Sequence, residues 1–64
     1  MADSVKTRAM QLAARLLGGP ARLRDRLGAR SSDVSDWLAG VREPPPEALL
    51  RAVEVILDDL DAKD

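Results

Sequence analysis

The sequence predicts an all-α fold, a compact four-helix domain, and three observations carry that expectation. Leu, Ala and Val supply the apolar content with few β-branched runs. Apolar residues recur at spacings of three and four in four separate segments. Glycine and proline stand only at the borders of those segments, where they stop or start helices. A chain of 64 residues is at most one domain, and its core is small enough that oligomerisation is expected from the outset.

The first helix is expected over about residues 4–17, capped by Asp3 or Ser4 and closed by Gly18 and Gly19. Val5, Ala9, Leu12 and Leu16 form its apolar stripe, widened by Ala13 and Leu17, while Thr7, Arg8, Gln11 and Arg15 are expected to face outward. Pro20 opens a short second helix, 20–27, because proline loses no hydrogen bond at a first helical position and already has a helical φ. Leu23 and Leu27 lie one turn apart on its buried side, with Arg22 and Arg26 outside. Gly28 ends it and permits a sharp turn. A third helix, 31–39, buries Val34, Trp37 and Leu38 and is stopped by Gly40, leaving Ser31, Ser32, Ser35, Asp36 and Ala39 outward.

The stretch "VREPPPEALL" is a stiff connector, in which Pro46 starts the fourth helix and Glu47 sits favourably in its first turn. That helix, about 46–60, aligns Leu49, Val53, Ile56 and Leu60, with Leu50 and Leu57 beside them, as its expected core face. Val55, flanked by Ala48 and Ala52, falls off that stripe and is an expected outer strip, available to a dimer contact. The acids of "DDLDAKD" oppose the helix dipole, so the end is expected to fray.

Composition excludes several kinds of function. Without Cys there are no disulfides or thiolate metal sites, and without His the commonest neutral-pH acid-base group is missing. Nothing in the sequence would activate a Ser or Thr nucleophile, so neither an enzyme nor a cofactor or metal site is expected. Trp37 is the lone aromatic residue, too little for a platform on which single-stranded bases stack, and it reads as a core anchor. No apolar run approaches a membrane span. The amphipathic start, with Lys6, Arg8 and Arg15, loosely matches a transit peptide, but its loss would leave too little core. A cytoplasmic protein is expected.

Helix, short helix, glycine turn, helix, proline loop, helix: in this order the chain resembles the Cro and phage-repressor type of helix-turn-helix protein. Leu23, Leu27, Gly28, Val34, Ser35, Trp37, Leu38 and Gly40, followed by Arg42 and the proline loop, carry the likeness over residues 16–57. It is most similar in pattern to small bacterial and prophage regulators of transcription. The resemblance implies that the third helix enters the major groove of double-stranded DNA. It offers Arg30, Ser31, Ser32, Ser35 and Asp36 as candidates for reading bases, and Arg22 and Arg42 as candidates for phosphate contact. Three features depart from the family, one of them the negative charge that Asp33 and Asp36 add near DNA. Arg24 stands where a small residue is usual, so its side chain is expected to snorkel outward. Arg30 replaces a Ser or Thr cap, a role that Ser31 is expected to take over.

Charge opens a second reading. The formal net charge is −1, but residues 6–30 hold seven basic groups against Asp25 alone, whereas residues 31–64 hold three against nine acids. One part of the molecule suits phosphate and the other repels it. Asp33 and Asp36 lie on the very helix that would meet DNA; Asp33, in the first turn, gains about 0.3 to 1 kcal/mol from the dipole whatever the ligand. The two expectations are therefore a DNA-binding regulator, weak or dependent on a homodimer, and a protein-interaction module that docks a partner through Asp33, Asp36 and the acidic fourth helix.

Overall fold

The structure, a computed structural model, describes residues 4–62 and consists of four helices: α1 (Val5–Leu17), α2 (Pro20–Leu27), α3 (Ser31–Ala39) and α4 (Pro46–Ala62). There is no strand among the described residues. The Ser4 hydroxyl accepts the Thr7 backbone N–H at 3.2 Å and caps α1; the alternative cap, Asp3, lies outside the described residues. Helices α1, α2 and α3 then end alike. The residue after the terminal glycine donates its N–H back to a carbonyl of the last turn: Gly19 to Ala14 at 2.8 Å, Ala29 to Arg24 at 3.2 Å and Val41 to Asp36 at 3.0 Å. At Gly28 the backbone has φ +66°, left-handed and favoured by glycine, and the chain turns into α3 within three residues. The Pro45 carbonyl accepts from Leu49 and begins α4, which continues to Ala62, two residues past the expected boundary at 60. Asp58 and Asp61 are exposed there, so water solvates the charges that the helix dipole disfavours.

α1 packs chiefly on α4 and also on α2 and α3, while α2 bridges α3 and α4. Met10, Leu23, Val34 and Trp37 fill the centre, with Ala13, Ala14, Ala48, Ala52 and Val55 completing it and Leu16, Leu17, Leu27, Ala29 and Leu38 packed around it. The expected faces of α2 and α3 are the buried ones. That of α1 is so in part, through Ala13, Leu16 and Leu17, and that of α4 is not.

On α4 the buried residues are Ala48, Ala52 and Val55, the strip expected to lie outside. The large residues expected inside are half-buried (Leu49, Val53, Ile56) or exposed (Leu50, Leu57, Leu60). On α1 the core face is Thr7, Met10, Ala13 and Ala14, and Val5 and Leu12 are exposed. Ala13 and Ala14 on α1 and Ala48 and Ala52 on α4 suit a close helix contact, with Met10 and Val55 filling the core beside them. Thr7, expected outside, is buried with its hydroxyl bonded to Ser4. Gln11, also expected outside, is half-buried and donates its amide to the Leu38 carbonyl at 3.0 Å, tying α1 to the end of α3.

Candidate nucleic-acid interface

The residues singled out on the third helix surround its free N-terminal end. Ser31 and Ser32 are its first two positions and are exposed, as is Ser35 one turn on. Arg30 precedes the helix with extended backbone, and its side chain makes no capping bond. Ser31 does not replace it as a cap. Its hydroxyl accepts from the Arg24 guanidinium at 3.0 Å, because Ser31 is already a helical residue and its side chain lies alongside α2. Arg24 therefore runs across the α2–α3 junction rather than simply outward. It also pairs with Asp25 at 3.0 Å, and with Ser31, Ser35, Val34 and Leu38 it lines a cleft of about 480 Å³ between the two helices.

Asp33 and Asp36 are both half-buried and both paired with one cation. Arg42, just past the end of α3, donates Nη2 to Asp33 at 2.5 Å and Nε to Asp36 at 3.1 Å. The turn after Gly40 makes this possible: Val41 and Arg42 fold back with their backbone N–H groups on the Asp36 carbonyl, so the guanidinium returns along the helix it has just left. Asp36, a base-reading candidate, and Arg42, a phosphate-contact candidate, are thus each other's partners. Sequence spacing alone gave no sign of this, since nine residues separate Asp33 from Arg42 and a glycine-terminated turn lies between them.

The remaining arginines of this region are differently placed. Arg22, Arg26 and Arg30 are exposed and make no ion pair among the described residues. Arg22 and Arg26 border a shallow depression with Leu17 and Asp25 on the outer side of α2. Among the described residues no group of acids is arranged to hold a metal ion, and no helix is long and apolar enough to cross a membrane. Compared with family models, curated proteins and solved structures, the chain has no significant match.

Proposed function

We propose that the protein is a small DNA-binding regulator of transcription, built as a helix-turn-helix of the Cro and phage-repressor type, with α3 as the helix that enters the major groove. The observation that carries this reading is the internal pairing of Arg42 with Asp33 and Asp36. The two carboxylates that would meet phosphate unscreened share a cation, and with Arg30 counted the outer surface of α3 has no net charge. That surface then presents three exposed serines, which donate to or accept from several bases, beside the unpaired N–H groups of a helix N-terminus. Arg22, Arg26 and Arg30 supply phosphate contacts on the α2 side. Arg42 stays with its aspartates in the free protein and contributes to DNA binding only when they release it.

Titration of mixed-sequence duplex DNA into isotopically labelled protein tests the reading. Amide shifts should be confined to Arg22, Arg26 and residues 30–36 and should weaken steeply from low to moderate salt. Replacing Arg22 and Arg30 together with Ala should lower the magnitude of the logarithmic salt slope by about 1.8, two contacts at roughly 0.9 each. Absence of shifts at low salt, where even non-specific binding shows, overturns the proposal and leaves Asp33, Asp36 and the acids of α4 as the surface on which to seek a protein partner.

A further inference from the structure

The large aliphatic residues of α1 and α4 face away from the core, and together they form one surface. Relative exposure is 79% for Val5, 39% for Leu12, 62% for Leu50, 53% for Leu57 and 55% for Leu60. Ile56 lines the same groove as Val5, Ala9 and Leu12, so the strips of the two helices join through it. On α4 the residues Leu50, Val53, Leu57 and Leu60 repeat at spacings of three and four, the pattern of a helix seam that seats another helix. Monomeric domains seldom leave a strip of this kind in water.

The charges beside the strip identify what covers it. On α1 the exposed pair Arg8 and Arg15 borders Val5 and Leu12, and both arginines line the groove; neither makes an ion pair among the described residues. On α4 the exposed acids Glu47, Glu54 and Asp61 border Leu50 and Leu57. Both rows repeat every seven residues, about 10.5 Å along a helix, so the arginines of one chain can register with two acids of another. On α4 itself only Arg51 stands near that row, a single cation between Glu47 and Glu54. Helix α1 instead brings two arginines at the row's own seven-residue repeat, so α1 against α4 pairs it twice under a two-fold axis. A stable interface takes about 800 Å² from each partner. The whole chain exposes 4495 Å², so such an interface takes under a fifth of its surface.

We infer that this face is the interface of a two-fold symmetric homodimer, in which α1 of each copy crosses α4 of the other, Val5, Leu12, Leu50 and Leu57 are covered, and Arg8 and Arg15 meet the row Glu47, Glu54 and Asp61. The inference does not depend on the DNA reading, because the assembly is measured without nucleic acid.

Sedimentation equilibrium of the full chain tests it. The wild-type mass should be twice 6.9 kDa, and Leu57→Glu, a change on a surface position that leaves the helical circular dichroism intact, should weaken association by about tenfold or more. A charge-swap set fixes the geometry. Arg8→Glu with Arg15→Glu in one chain, and Glu54→Arg with Asp61→Arg in another, should each weaken self-association, and mixing the two chains should restore a dimer. In the mixed pair both crossings are again opposite in charge. A wild-type mass of one chain at concentrations on the order of 1 mM overturns the inference, as does a mass that climbs past two copies. A Leu57→Glu protein that stays dimeric, or a mixture that fails to pair, overturns it equally and assigns the face to an occupant of different chemistry.

Discussion

On the proposed DNA-binding reading, replacing Asp33 and Asp36 together with Asn should strengthen that binding, and the size of the gain follows from the contacts of Arg42. In the free protein that guanidinium holds two ion pairs, and its side chain is 54% exposed. Exposed pairs of this kind are worth about 0.2 to 1 kcal/mol each, so moving Arg42 to a phosphate costs up to about 2 kcal/mol. Against this, one phosphate contact gains affinity through counterion release with a logarithmic salt slope of about −0.9. Counting from 1 M salt, that contact multiplies affinity by about 15 at 50 mM and about 4 at 200 mM, or roughly 1.6 and 0.9 kcal/mol. Breaking both pairs costs about 0.4 to 2 kcal/mol, so at moderate salt the aspartates offset about half of the contact's gain at the low end of that range and exceed it at the high end. In the Asn variant nothing holds it, and the salt slope should steepen by about 0.9 units, with a larger gain at 50 mM than at 200 mM. Fluorescence anisotropy of labelled duplex across a salt series reads both quantities. Arg42→Ala should do little in the wild type and should cancel the gain in the Asn variant. An unchanged slope, or an Arg42→Ala loss as large in the wild type as in the variant, would refute the account of Arg42 as a captive cation.

Three further expectations concern the fold that presents α3. Trp37→Ala empties the centre of the core, where the indole is 6% exposed, and should cost about 3 to 5 kcal/mol; set against a total of about 3 to 10 kcal/mol for a domain of this size, thermal denaturation should show a largely lost transition. Gly28→Ala introduces a Cβ that meets nothing within 4 Å at φ +66°, so it should cost only the backbone penalty of about 1 to 2 kcal/mol, measured by urea denaturation. Ala52→Leu forces bulk into the fully buried contact of α1 with α4 and should destabilise by about 1 to 3 kcal/mol in the same assay, although it adds apolar surface.

The helix boundaries were legible in the sequence because their signals are local. Pro20 and Pro46 open helices, Gly18, Gly28 and Gly40 close them, and Ser4 caps the first, each through bonds within a few residues of itself. The faces of α2 and α3 were legible too, since each has one apolar stripe and no competitor. What the sequence did not show directly is contact between distant segments. Gln11 meets Leu38 across 27 positions, and Arg24 reaches Ser31 across the turn. The candidate site was legible as a set of positions on and around α3, but not as a set of charges. The aspartates looked like a repulsive pair because their cation arrives from beyond the end of the helix.

The wrong face on α4 has a more general cause. The helix carries two apolar stripes, one of Ala48, Ala52 and Val55 and one of larger aliphatics, and ranking by hydrophobicity puts the larger one inside. Ranking by the space between helices puts the smaller one inside, because Ala13 and Ala14 on α1 leave room only for a close partner. A sequence with one core would have spent its leucines on it. Here the small-residue stripe closes the monomer and the large one is left over, bordered by a charge row on each helix. A helix with two apolar stripes of unequal size is then evidence of two contacts, and the larger stripe belongs to the contact made last, since a domain whose total stability is about 3 to 10 kcal/mol gains most from covering it. On that argument Leu50→Glu should leave the melting of the dilute monomer nearly unchanged while removing the rise of melting temperature with protein concentration. A concentration-dependent melt that survives the substitution would separate the stripe from assembly altogether.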